Sequence, residues 1–130
     1  LESPRRLIDQ AFSLLSSGGL FVLSMPSHED ILLTVAGDAF KSFFYQTAHL
    51  NYFGRKAVRH LFQETGFVDI HFGYLHKYGL SNLLQWVRFQ EPGRFAQAEE
   101  LITLEMSNHY VVSLEAAGLS SHHFITARKE

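Results

Sequence analysis

The sequence predicts an α/β domain, and three stretches carry that prediction. A helical repeat closed by Gly18-Gly19 leads into the continuous apolar run Leu20-Phe21-Val22-Leu23, Val68 to Tyr74 alternate apolar with polar residues, and His123 to Ala127 read as a last strand after a long helical stretch. Helices interleaved with short strands point to one sheet with helices packed on it.

Each element follows from local chemistry. Ser3 can cap a helix whose first turn accepts Pro4, and Leu7, Ile8, Ala11, Phe12 and Leu15 recur on one face. Gly18-Gly19 stops it, and Leu20 to Leu23 has the unbroken apolar character of a strand covered on both faces, as in parallel sheets. Pro26 ends that strand, Ser27 is placed to cap a helix from His28 to Ala36, and Gly37 is placed to stop it. A looser aromatic stretch, Phe40 to Tyr45, follows. Arg55 to Thr65 predicts a helix with Val58, Leu61 and Phe62 inward and Gly66 as its stop. The alternation of Val68 to Tyr74 fits a half-exposed strand near a sheet edge. Two helices are expected next, Tyr78 to Phe89 and Phe95 to Ala117, separated by Glu91-Pro92-Gly93-Arg94, with Gly118 ending the second. The expected order is α-β-α-α-β-α-α-β.

Composition narrows the class. The 130 residues suffice for one compact domain, 46% of them are apolar, and the twelve phenylalanines need a core. Formal net charge is −2 with no basic stripe, so nucleic acid is not an expected partner. There is no cysteine, which excludes disulfides and thiolate metal sites and agrees with a reducing compartment. No apolar run approaches the ~18 residues of a membrane span, and the first six residues lack the order of a signal peptide. The expectation is a soluble cytoplasmic protein without a membrane partner. The chain opens on Leu1 with a helix-start signal close behind it, which suggests a piece of a longer protein.

The segment Leu14-Leu15-Ser16-Ser17-Gly18-Gly19-Leu20-Phe21-Val22-Leu23-Ser24-Met25-Pro26-Ser27 resembles the helix, Gly-Gly turn and fifth strand of class I S-adenosylmethionine-dependent methyltransferases. Downstream, His49-Leu50-Asn51-Tyr52-Phe53, a helix and Gly66-Phe67 are similar to landmarks before the sixth strand in a small-molecule branch of that family. Tyr78-Gly79-Leu80-Ser81-Asn82 and Trp86 look like the segment after the sixth strand where helices are inserted. The resemblance implies the C-terminal half of a Rossmann-like methyltransferase fold: strands five, six and seven with flanking and inserted helices, in the family order 3-2-1-4-5-7-6, the last strand antiparallel between five and six. It also implies S-adenosylmethionine as the cofactor of the intact protein. No GxGxG occurs in these residues, so the cofactor-gripping front is expected to lie outside the chain, which alone should be inactive and bind no cofactor.

Ligands of open α/β sheets bind beyond the carboxyl ends of the strands, which directs attention to Pro26-Ser27-His28-Glu29-Asp30. His28 is a candidate base there, although the same stretch suits a helix start with Ser27 as cap and Glu29 and Asp30 at the positive end of the dipole. His49 is the second candidate base, because an imidazole titrates near neutral pH. Tyr45, Asn51, Tyr52, Tyr78, Asn82 and Trp86 are candidates for the walls of an acceptor pocket, with core packing the competing role for each. The eight histidines do not predict a metal site: neighbours such as His122 and His123 point to opposite faces of a strand, and no HxxxH or HExxH pair occurs. The expected partners are a small-molecule methyl acceptor, the missing N-terminal half of the same protein, and a second copy pairing through an open strand edge. The last of these defines an alternative to enzyme function, a non-catalytic binding or assembly module.

Overall fold

The computed structural model describes residues 3–46 and 51–130. Helix α1 (Pro4–Leu14) begins as its sequence dictates, with the Ser3 hydroxyl accepting the Arg6 N–H at 3.3 Å. The chain turns through Gly18 at φ +74°, and a Cβ on Gly19 would stand 2.8 Å from the Ser16 carbonyl, so this turn needs its glycine pair. Strand β1 (Leu20–Pro26) follows, then two short helices, α2 (Ile31–Val35) and α3 (Gly37–Phe44). Helix α4 (Arg55–Thr65) ends on Gly66 at φ +101°, which leads into strand β2 (Phe67–Leu75). Helices α5 (Leu80–Phe89), α6 (Ala96–Glu99) and α7 (Leu104–Ala117) come before strand β3 (His122–Lys129).

The sheet order is β1-β3-β2, with β3 antiparallel to both neighbours. Ile125 is opposite Leu23 on one side and Phe72 on the other, and is fully buried. This is the placement of the last strand that the methyltransferase resemblance implies. The edge position expected from the alternation in Val68 to Tyr74 also holds, with Asp69 at φ +50° beside a break in register between Val68 and His71.

One face of the sheet is covered by α1 and α4. Ile8, Val58, Phe62, Phe67, Ile125 and Ala127 form the core there, and the Phe21 ring lies 5.7 Å from that of Phe62 and 5.6 Å from that of Phe67. A second cluster, Leu32, Ala36, Phe40 and Trp86, joins α2, α3 and α5. The first joins the apolar faces that helical spacing marks out on α1 and α4 to the strand residues Phe67, Ile125 and Ala127.

Four local expectations are corrected. Strand β1 is covered on one face only: Leu20 and Val22 remain 50% and 55% exposed, and β1 pairs antiparallel with β3 alone, so its continuous apolar run does not here reflect a parallel, doubly covered strand. The helix expected from His28 begins at Ile31, because the Asp30 carboxylate rather than Ser27 accepts a first-turn N–H, that of Leu32, at 2.9 Å. Gly37 starts α3 instead of simply ending α2, its φ of +66° turning the chain between the two helices. The long helix expected over Phe95 to Ala117 is two, because Thr103 is extended and its hydroxyl accepts the Met106 N–H at 3.1 Å, capping a new helix.

Phe62 is the test of the main core. Phe62→Ala is expected to lower unfolding free energy by about 3–5 kcal/mol in a urea titration, and Leu14→Ala, at an 86% exposed position, to change it by no more than about 0.5 kcal/mol.

Candidate functional site

At the carboxyl end of β1 the chain passes from Pro26 into Ser27, which is fully buried and whose N–H donates to the Ser121 carbonyl at 2.9 Å. This ties the β1 exit to the residues that enter β3. Above the junction lies a cleft of about 1150 Å³, lined by residues of α2, α3, α5, α6 and α7 together with the Lys77–Gly79 loop and the turn at Pro92-Gly93-Arg94.

Aromatic residues form one wall. Trp86 is only 3% exposed and meets the Phe40 ring edge-on at 4.9 Å, while Phe43 packs 5.2 Å from it and stays 43% exposed. Tyr78, also 43% exposed, lines the same cleft. The Asn82 amide lines the cleft and donates to the Gly93 carbonyl at 2.8 Å, fastening α5 to the Pro92-Gly93 turn. Three of the residues expected at an acceptor pocket, Tyr78, Asn82 and Trp86, are therefore brought together.

The others lie elsewhere. Tyr45 and Tyr52 stack edge-on at 4.9 Å, and the Tyr52 hydroxyl donates to the Phe44 carbonyl at 2.6 Å and accepts the Gln46 N–H at 3.1 Å. His28 is exposed, with Nε2 3.5 Å from the Tyr45 hydroxyl, and it does not line the cleft. Asn51 is exposed and does not line the cleft, and His49 lies outside the described residues.

Beneath the cleft, polar groups lock the ends of the sheet. His76 is 4% exposed, and its Nδ1 accepts the Ser121 N–H at 3.1 Å. The ring proton therefore sits on Nε2, 3.3 Å from the Tyr110 hydroxyl. Burial holds His76 below its ordinary pKa and pushes Tyr110 up, so both stay neutral near pH 7. Lys77 Nζ lies 3.0 Å from His122 Nε2; an ammonium cannot accept, so His122 does, and its Nδ1 proton goes to Ser121 Oγ at 3.1 Å. As β-strand geometry requires, His123 turns the other way, 1% exposed, with its ring 5.8 Å from that of Tyr74.

Sequence reasoning missed Lys77 and His122 as cleft residues, and although it directed attention to the stretch that ends in Asp30, it gave that acid only the role of a helix-start charge. Asp30 is 3% exposed, and burial raises its carboxyl from 3.8 to about 6 against the opposing Leu32 N–H bond. In the sequence it is indistinguishable from an ordinary helix-start acid. A second, smaller cleft of about 640 Å³ lies on the α4 side, where Arg55 pairs with Glu29 at 2.7 Å and donates to the Tyr74 hydroxyl at 2.9 Å.

The raised Asp30 pKa fixes the sign of a pH effect. Between about pH 4 and pH 6 the folded state holds a proton that the unfolded state has released, so stability due to this group is present below 3.8 and lost as pH rises through 6. Asp30→Asn keeps an oxygen for the Leu32 N–H and removes the titration. Relative to this variant, the wild type should lose about 2–3 kcal/mol of unfolding free energy from pH 4 to pH 7 in parallel urea titrations.

A protein family described as a methyltransferase domain matches residues 1–71. No curated protein matches the sequence. Among solved structures, the chain is similar to a SAM-dependent methyltransferase from Thermotoga maritima, with a TM-score of 0.58 and 13% identity, over 100% of this chain and 50% of that one. It is likewise similar to a SAM-dependent methyltransferase from Archaeoglobus fulgidus, with a TM-score of 0.54 and 13% identity, over 98% of this chain and 53% of that one. The chain thus spans about half the length of the solved proteins it matches, and their likeness is one of fold. With the family match reaching over residues 1–71 of 130, the chain belongs to the methyltransferase domain family.

Proposed function

We propose that this chain is the acceptor-side part of an S-adenosylmethionine-dependent methyltransferase that acts on a small molecule. The observation that carries the reading is the cleft at the carboxyl end of β1, walled by Trp86, Phe43 and Tyr78, in a sheet whose last strand is inserted antiparallel. Its size suits a small organic acceptor. Methyl transfer depends chiefly on aligning the acceptor atom with the methyl group, a task a rigid aromatic wall performs. Where an acceptor needs deprotonation, His28 and His49 are the proposed bases.

The described residues do not fit the cofactor itself. The turn after β1 is Ser27-His28-Glu29-Asp30 and that after β2 is His76-Lys77-Tyr78-Gly79, so neither strand leads into a glycine-rich turn that lets a ligand approach the backbone. In this reading the cofactor grip comes from sequence outside these 130 residues, the chain by itself is inactive, and the intact protein works in the cytoplasm. Among the described residues, no helix is long and apolar enough to cross a membrane.

A second reading gives the free side of β1 a partner strand. The outer edge of β1 pairs with nothing among the described residues, and Leu20 and Val22 beside it are half exposed. The rest of the same protein is the proposed occupant, with pairing between two copies as the non-catalytic alternative. Light scattering after size exclusion of the 130-residue chain separates them, because edge pairing between copies yields a dimer.

Two measurements test the enzyme reading. Calorimetry with S-adenosylmethionine should give no binding heat for this chain and clear binding for a longer polypeptide that contains it. In that longer protein Trp86→Ala should raise KM for the acceptor about tenfold while leaving cofactor affinity within about twofold. Failure of the longer protein to bind the cofactor contradicts the proposal.

A further inference from the structure

The charged groups around the main cleft are not equally satisfied. Arg94 and Glu99 face each other at 3.7 Å, and both are well exposed. Lys77 is exposed, so water solvates its charge while its ammonium donates to His122. Asp30 differs on both counts. It is 3% exposed, its Oδ1 takes only the Leu32 N–H, and no cation forms an ion pair with it among the described residues. A buried carboxylate with one hydrogen bond and no counter-ion is costly when ionised, and a cation brought into contact with it recovers much of that cost.

The surroundings define the kind of cation. Asp30 lines the cleft together with Phe40, Phe43, Phe44, Trp86 and Tyr78. Aromatic faces attract organic cations and cover their apolar parts, whereas a bare metal ion needs several carboxylate or imidazole ligands. Among the described residues no group of three such side chains comes together. The geometry points to an organic ammonium as the occupant, its charge against Asp30 and its apolar body against the exposed rings of Phe43 and Tyr78, which makes the acceptor class a small amine. This assignment rests on the reading of the cleft as the acceptor site.

Trp86 is the single tryptophan of the chain and lines the cleft, so its fluorescence reports occupancy. The 130-residue chain is titrated with 2-phenylethylammonium chloride and, in parallel, with its neutral analogue 2-phenylethanol, for wild type and for Asp30→Asn. The ammonium should bind about tenfold more tightly than the alcohol, and Asp30→Asn should bring the two within about twofold. Circular dichroism verifies the fold of the variant, and Asp30→Ser, which also retains a capping oxygen, replaces it if the amide does not fold. Equal binding of both probes by the wild type, or a preference that survives in the folded variant, overturns the amine assignment and leaves the acceptor-site reading standing. Absence of any Trp86 response to either probe overturns both.

Discussion

Everything in this structure depends on β3 lying between β1 and β2. Each outer strand finds its hydrogen-bonding neighbour in β3, and Ile125 and Ala127 put the centre of the core on that strand. Helices α1 and α4 then cover one face through Phe12, Phe62 and their neighbours, with Phe21 and Phe67 as the matching surface of the sheet. The final strand thus closes a sheet whose other members come much earlier in the chain. Contacts of such long sequence separation carry a loop-closure cost in entropy that the aromatic core must offset.

The same insertion positions the cleft. Because β3 runs antiparallel to β1, the start of β3 meets the end of β1, and Ser27 bonds to Ser121 across that junction. His76, at the end of β2, bonds to the same Ser121. Three chain segments are therefore pinned at one point, with the aromatic wall of α3 and α5 standing over it. Asp30 is buried as a by-product of this arrangement, since it caps α2 immediately beside the pinned junction. A residue placed for a structural reason thereby presents an uncompensated charge to the cleft.

Local chemistry made much of the fold legible. The bounds of α4 follow from its apolar spacing and from Gly66, whose left-handed conformation only glycine adopts cheaply. The strand order came from resemblance, because alternation can place a strand at an edge but cannot say which strand is its neighbour. The break before α7 was hidden for a different reason: Phe95, Ala98, Ile102 and Met106 keep helical spacing across it, while a single threonine side chain decides the matter. At the cleft, Tyr78, Asn82 and Trp86 were recognisable as lining residues, while Asp30 lay in a stretch singled out for its position but was read only as a helix-start acid. A capping acid and a buried cleft acid look the same in sequence, and only the packing of α2 against the rest distinguishes them.

Cross-strand nuclear Overhauser effects in an isotope-labelled sample test the central arrangement most directly. The account predicts backbone contacts from Ile125 to both Leu23 and Phe72, in the pattern of antiparallel pairs, and none from β1 to β2. Direct contacts between Leu23 and Phe72 backbone protons, or a β3 that pairs with only one neighbour, would contradict it.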